Sequence, residues 1–308
     1  MTPTLHDHAS ACAKVILLGE HSVVHGQPAI AAGLPEALRL TASRLADRMA
    51  PLEVAIPAWD LAFTLADVGT HPVARACGDV IGHCDGPLTG WRIEGTTAIV
   101  ARAGLGSSAA ITVAIARLVL GEDAPAEAVI DASMVGERVF HGTPSGIDSE
   151  VATRGGLLRF VRGQPPQPLV LGRALPLVIV PSGIPRNTGE QVAKVHHAIE
   201  RWPTLARPII ETLGRIATLG QEQLERGDFA GFGDLANMAH ALLGALGVSS
   251  PELDALCSVA REHGALGAKL TGAGGGGCII AVPNGSPDAL VSVFRARGLL
   301  PLVVEVRA

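Results

Sequence analysis

The 308-residue chain has no tyrosine, six phenylalanines and three tryptophans. So few rings exclude a face on which single-stranded nucleic-acid bases stack, and they leave the core to aliphatic side chains. Basic blocks are missing as well. Lysine and arginine total 24 against 29 aspartates and glutamates, a formal charge of −5, so neither a polyanion nor an anionic membrane suits the chain as partner. The five cysteines, at positions 12, 77, 84, 257 and 278, are odd in number and form no C-x-x-C pair. That usage argues against a disulfide framework or a zinc site and fits the reduced thiols of a cytoplasmic protein. No secretory signal or membrane span is expected, because the apolar run Val15 to Leu18 is far too short to cross a bilayer. His6-Asp7-His8 reads as a frayed terminus and not as a metal site. One common phosphate loop, G-x-x-x-x-G-K-[ST], is absent.

Hydrophobic residues make up 48% and charged residues 17% of the chain, which supplies a substantial core and excludes general disorder. The first part reads as strands at Ala11–Gly19, Leu38–Ser43 and Leu52–Ile56, then a short hairpin of Trp91–Glu94 and Thr97–Ala101 around Gly95. Residues 57–87 carry no clear pattern beyond a helix within about 65–82, whose start Gly69 and Pro72 oppose. Helical spacing covers Ser108–Leu120, ended by Gly121, and Ala126–Phe140, and a short helix opening at Pro144 and Ser145 carries Asp148. A strand over Gly155–Val161 and a Pro- and Gln-rich linker over Gly163–Gly172 follow. The second half predicts a strand at Leu175–Val180 and helices at about 188–201, 205–226, 229–246 and 251–263. Strands near 266–271 and 277–282, a helix at 286–297 and a last strand at 301–306 complete it. Strands and helices cluster without strict alternation, so the class is α+β.

Gly104-Leu105-Gly106-Ser107-Ser108-Ala109-Ala110, followed at once by a helical pattern, is the most informative stretch. Its glycines let backbone approach a ligand closely, and free N–H groups and hydroxyls at a helix N-terminus favour an anion such as phosphate. By itself the stretch reads equally well as a Gly turn with a Ser N-cap. A second segment, Lys14-Val15-Ile16-Leu17-Leu18-Gly19-Glu20-His21-Ser22-Val23-Val24-His25-Gly26, runs a buried strand into a corner with an amine, a carboxylate and imidazoles. A third, Lys269-Leu270-Thr271-Gly272-Ala273-Gly274-Gly275-Gly276-Gly277-Cys278, sets glycines between two strand-like runs, where a lone cluster is more often a hairpin or bulge. Two further segments are Gly136-Glu137-Arg138-Val139-Phe140-His141-Gly142-Thr143-Pro144-Ser145-Gly146-Ile147-Asp148 and Ile184-Pro185-Arg186-Asn187-Thr188.

In this order and spacing the segments resemble the GHMP kinase superfamily, the mevalonate kinases most closely, from about Ala11 to Val306. The wording G-E-H-x-V-V-H-G carries the narrower resemblance. It implies a two-domain fold, a ribosomal-protein S5-like N-terminal domain (residues 1–170) and a ferredoxin-like C-terminal domain (171–308), with the active site in the cleft between them. It implies ATP-dependent phosphorylation of mevalonate to 5-phosphomevalonate for isoprenoid biosynthesis, with ATP and Mg²⁺ as cofactors, in the cytoplasm. The partner is a small molecule, with no nucleic acid and no membrane, and a homodimer is the candidate assembly.

Phosphoryl transfer needs in-line positioning, charge neutralisation and a partner for the nucleophile's proton. By resemblance Asp148 falls on the catalytic aspartate and Lys14 on the active-site lysine, which holds phosphoryl oxygens, activates the hydroxyl or keeps Asp148 ionised. Ser108 and Glu137 fall on Mg²⁺-associated positions, and hydroxyl and carboxylate are hard-oxygen ligands. Gly104, Leu105, Gly106, Ser107, Ser108 and Ala109 form the ATP phosphate loop. Glu20 and His21 make the mevalonate corner, with Thr188 and Asn187 across the cleft, while His25 is structural. The Gly272–Gly277 cluster supports the loop and the floor of the site. Away from the resemblance, Lys14 reads as a snorkelling strand-edge lysine, Glu137 as a surface helix carboxylate and Asp148 as a helix-dipole partner.

The chain departs from the family's wording in two places. Cys12-Ala13 precede Lys14 where Pro-Gly is usual, and Ala101 and Arg102 stand before the phosphate loop where a Pro and a Gly are usual. Neither touches the expected catalytic groups, but both bear on nucleotide affinity. The alternatives are another small-alcohol kinase of the same fold, for phosphomevalonate or homoserine, and a catalytically silent binding protein of that fold.

Overall fold

The computed structural model describes residues 4–97, 99, 104–142 and 144–307, without the side chain of Glu36. Ala101, Arg102 and Thr143 lie outside the described residues. The chain divides into two compact units that interleave along the sequence, where a single boundary near residue 170 was expected. One comprises Met1–Lys14, Gly33–Ala101 and Gly106–Gly155, and the other Val15–Ala32, Arg102–Leu105 and Gly156–Ala308. The reason lies in two long strands, β1 (His8–Leu18) and β2 (Ala29–Arg44), each of which contributes one end to each unit.

In the first unit β3 (Glu53–Ile56) pairs antiparallel with β4 (Leu61–Thr64), and α1 (Pro72–His83) follows. The strand β5 (Trp91–Thr97) lies between β3, to which it is parallel, and the Leu38–Arg44 stretch of β2, to which it is antiparallel. Three helices then pack together with α1: α2 (Ser107–Leu120), α3 (Ala126–His141) and α4 (Ile147–Arg154). Every residue of α2 from Ala109 to Ala116 is buried, as expected of a helix apolar on all sides. Leu40, Ile56, Ile93, Ile81, Ile115 and Leu118 represent a core that is aliphatic almost throughout, as the scarcity of rings required.

Three local expectations are corrected here. Trp91–Thr97 is one continuous strand and no hairpin turns at Gly95, while the expected second arm falls largely outside the described residues. Gly95 pairs with Leu40, and a Cβ there would lie 2.6 Å from Ile56 Cγ1, so the glycine serves close packing and not a turn. His6 is not frayed: its N–H donates to Leu118 O at 2.8 Å, and Leu5 is buried. The short helix begins at Ile147, after Gly146 in the left-handed region (φ 90°), and not at Pro144.

In the second unit the Ala29–Ala32 end of β2 pairs with β6 (Leu157–Phe160). The expected linker contains a short strand, β7 (Gln167–Pro168), paired with β6. Next come β8 (Leu175–Pro181) and the helices α5 (Thr188–Arg201), α6 (Pro203–Arg226), α7 (Phe229–Ala245) and α8 (Pro251–Glu262). The chain closes with β9 (Ala265–Thr271), β10 (Cys278–Pro283), α9 (Asp288–Arg295) and β11 (Leu302–Val306). The last sheet is antiparallel with order β11-β8-β10-β9. Numbered along the chain, its strands stand fourth, first, third, second, and with the intervening helices this is the β-α-β-β-α-β ferredoxin-like arrangement. Thr271 ties the sheet to β1, its hydroxyl donating to Ile16 O (2.9 Å) and accepting from Ile16 N–H (3.1 Å). Among the described residues no helix is long and apolar enough to cross a membrane.

Because Gly95 is required by its neighbours, Gly95→Val should overpack the Leu40–Ile56 contact. The expected cost is about 1–3 kcal/mol, read as a lower midpoint in urea unfolding.

Candidate active site

In the first unit the start of α2 decides between the two readings of the phosphate loop. The N-cap is Gly106 (φ 76°), no side chain caps the helix, and Ser107 and Ser108 are its first residues. Gly104 also has a positive φ, 89°. Both glycines thus occupy backbone that other residues adopt only under strain. The N–H groups of Ser107, Ser108 and Ala109 have no partner within the helix, and they point with the positive end of its dipole. The Ser N-cap reading is therefore excluded, and the helix N-terminus has the form that suits an anion.

Lys14 lies against this turn: a Cβ on Gly106 would be 3.2 Å from Lys14 Cβ. The lysine is buried and does not snorkel, and its Nζ is 2.7 Å from Asp148 Oδ1. Asp148, in the first turn of α4, keeps about a quarter of its side chain exposed (28%) and so remains accessible to a ligand. Arg117 of α2 holds the strand and the helix that carry this pair. Its guanidinium donates to Ser10 O on β1 (2.7 Å) and to Thr153 O on α4 (2.8 Å).

Glu137 on α3 is not a surface carboxylate. It is 1% exposed, and its Oε1 has no hydrogen-bond partner among the described residues. Burial pushes its carboxyl up to about 8, the charge of Asp148 adds to this, and the Ser108 hydroxyl and the Lys14 ammonium offset part of it. The oxygens of Glu137 and Ser108, close enough to interact, are a donor set that fits a hard divalent cation such as Mg²⁺. The orphaned Oε1 supports the same fit. Among the described residues no three His, Cys, Asp or Glu side chains gather into a metal cage. A cation held there would thus take its remaining ligands from phosphates and water.

In the second unit Gly19 (φ 95°) makes the sharp corner after β1, where a Cβ would strike Ala29 Cα at 2.5 Å. Glu20 then turns inward and forms a fully buried ion pair with Lys269 of β9, whose ammonium also donates to Leu270 O at 2.7 Å. Burial lowers the Lys269 pKa, and Glu20 opposes that shift. The next residue, His21, has φ 59°, a strained value outside glycine. Its Nε2 lies 2.9 Å from Ala273 O; since a carbonyl only accepts, Nε2 carries the proton and donates it. Burial above all pulls the imidazole down to about 4, the bond to Ala273 O opposing the shift and His25 and Arg186 contributing to it, so His21 is neutral near pH 7. Its buried Nδ1 has no partner among the described residues and is an acceptor suited to a ligand hydroxyl.

Thr188 is half-buried at the first position of α5. Asn187 is the N-cap of that helix, its Oδ1 accepting from Glu190 N–H at 3.3 Å, which is a structural task. Two residues quoted within the motifs but given no role prove central. The Arg186 guanidinium packs on both glycine loops: a Cβ on Gly104 would lie 2.6 Å from its Cζ, and one on Gly272 would strike its Nη1. Lys269 was legible in principle, as a charge inside an otherwise apolar strand that must be paired. The Gly272–Gly277 cluster is largely occupied by its own unit. Gly275 N–H donates to Val248 O (2.8 Å) and Gly277 N–H to Ile184 O (2.9 Å), and a Cβ on Gly274 or Gly276 would collide with the same two carbonyls.

The state of Glu137 sets a pH dependence. Between the ordinary value of 4.5 and about 8, folded Glu137 holds a proton that the unfolded chain has lost. Its contribution to stability is full below that window and lost as pH rises through it. Glu137→Gln lacks this loss, so in metal-free protein its melting temperature should rise relative to wild type between pH 5 and 8, measured by calorimetry. A constant difference would place Glu137 in solvent.

Known proteins are similar to this chain in sequence and in fold. The family profile "GHMP kinases N terminal domain" matches residues 72–156 and "GHMP kinases C terminal" matches residues 221–298. The mevalonate kinase of Pyrococcus furiosus is 34% identical over 97% of this chain and 95% of its own length. That of Aeropyrum pernix is 36% identical over 89% of this chain and 87% of its own. Among solved structures, L. major mevalonate kinase in complex with R-mevalonate superposes with a TM-score of 0.86 at 30% identity, covering 100% of this chain and 98% of that one. Lactococcus lactis galactokinase, 20% identical with a TM-score of 0.74 over 98% of this chain and 93% of its own, shares the fold. With its two profile domains and relatives above 30% identity over nearly their full length, the chain belongs to the GHMP kinases, among the mevalonate kinases.

Proposed function

We infer that this enzyme transfers the γ-phosphoryl group of ATP to the 5-hydroxyl of mevalonate. The observation that carries the chemistry is the pair of buried Lys14 and part-exposed Asp148 at 2.7 Å, with Lys14 set against Gly106 at the opening of α2. The backbone N–H groups of Ser107, Ser108 and Ala109 bind phosphate oxygens, with Gly104, Leu105 and Gly106 shaping the approach. Asp148 accepts the proton of the attacking hydroxyl. Lys14 orients that carboxylate and stabilises negative charge on the transferring group. Glu137 and Ser108, together with the phosphates, would hold Mg²⁺, which would supply charge neutralisation. In the second unit, His21 and Thr188 are the acceptor-recognition groups, Glu20 holds His21 in place through its buried pair with Lys269, and His21 Nδ1 accepts a hydrogen bond from a mevalonate hydroxyl.

ADP release from Mg-ATP should be fastest, in kcat/KM, with mevalonate among mevalonate, phosphomevalonate, homoserine and galactose. A better acceptor within that panel refutes the substrate and leaves phosphoryl transfer standing.

Asp148→Asn should lower kcat about 10²–10⁴-fold with little change in substrate affinity, since it keeps shape and removes basicity. Lys14→Met should be severe as well. If the pair acts as one unit, the double variant is little worse than the poorer single one, whereas independent roles multiply the losses. Steady-state kinetics on the four proteins of this cycle decides.

A further inference from the structure

Three hydroxyls unused by the mechanism form a buried chain through the first unit. Thr112 Oγ1 on α2 is 2.9 Å from Ser133 Oγ on α3, which is 3.0 Å from Ser149 Oγ on α4. All three side chains are 1% exposed or less. At its α2 end, Thr112 Oγ1 also reaches the carbonyls of Ser108 (3.2 Å) and Ala109 (3.1 Å). These carbonyls only accept, so toward them Thr112 is the donor, whereas between two hydroxyls either oxygen can donate. When Thr112 donates to a carbonyl, it is left to accept from Ser133. The hydroxyls link α4 through α3 to the first turn of α2.

Each member stands beside one of the proposed functional residues. Thr112 follows Ser108 by one helical turn, Ser133 precedes Glu137 by one turn, and Ser149 adjoins Asp148. The Thr112 methyl completes the contact. A Cβ on Gly136, the neighbour of Glu137, would lie 2.6 Å from Thr112 Cγ2, so α2 and α3 approach as closely as a glycine allows at this level. Neutral hydroxyls suit this place, because a charged link would add to the charges of Lys14 and Asp148 beside the buried Glu137.

We propose that Thr112, Ser133 and Ser149 are positioning residues: their buried hydrogen-bond chain sets the mutual register of α2, α3 and α4, and thereby of Ser108, Glu137 and Asp148. This rests on the catalytic reading of those three groups. Misplacement of reacting groups by about 1 Å costs up to about 10²-fold in rate, and the chain is what prevents such slippage.

Thr112→Val keeps the shape and removes the hydroxyl, while Thr112→Ser keeps the hydroxyl and removes the methyl. Thr112→Val should lower kcat roughly ten- to a hundredfold with the KM for mevalonate unchanged. It should also weaken binding of the non-hydrolysable Mg-AMPPNP in calorimetry. Thr112→Ser should recover most of both. A folded Thr112→Val with wild-type kcat and AMPPNP affinity, only its melting temperature lowered, overturns the proposal. So does a Thr112→Ser as impaired as Thr112→Val, since the methyl packing on Gly136 would then be responsible. If Thr112→Val does not fold, Ser149→Ala decides from the opposite end: a fall in kcat at constant mevalonate KM supports the chain, and wild-type kinetics overturns it. The catalytic reading is judged apart, by Asp148→Asn. If that variant is inactive while Thr112→Val is normal, only the chain fails, and if Asp148→Asn is active, the reading beneath it fails.

Discussion

Lys14 is one cation set among two carboxylates. It pairs with Asp148, and Glu137 feels the negative charge of Asp148 more than the positive charge of Lys14. In a buried setting this imbalance cannot be left to solvent, so the ligand-free protein resolves it by keeping Glu137 protonated near neutral pH. A divalent cation would offer the other resolution, and the Oε1 of Glu137, without a hydrogen-bond partner among the described residues, fits it. The surroundings obey the same constraint. The links between α2, α3 and α4 at this level are hydroxyls and a glycine, which add contact and polarity without adding charge.

The second unit meets burial of charge in the opposite way. Glu20 and Lys269 are both fully buried and match one for one, with a backbone carbonyl taking a further proton of the ammonium. Loss of either partner would strand a charge in the interior, the costly case for any buried pair. The pair also anchors the chain next to His21, whose positive φ persists because both sides are held. On one side Glu20 is pinned, and on the other the imidazole donates to Ala273 O. Strain kept at a neutral, half-satisfied imidazole suits a recognition group, since the geometry is set before a ligand arrives.

Much of this was legible in order of residues alone. The apolar runs that fill α2 and α7, the Gly106-Ser107 junction and the amphipathic stretches of α5, α6 and α8 are local patterns, and local patterns set local structure. Gly95 misled because glycine serves both turns and close packing, and only Ile56 and Leu40, distant in sequence, select between them. Cys12-Ala13 in place of the family's usual pair leaves Lys14 well placed on β1. The Arg186 guanidinium escaped notice for a similar reason, as its partners Gly104 and Gly272 lie far away along the chain.

The sequence by itself determined the class of fold, the family and the kinds of group available for phosphoryl transfer, because residue type and short spacing encode chemistry. Tertiary structure alone decided which charges are paired and which are not. That Lys14 meets Asp148, that Lys269 meets Glu20 and that Glu137 is left protonated depends on burial and on distances between segments up to 249 positions apart. Charge in a low-dielectric interior responds to neighbours in space, and spacing along the chain does not report them.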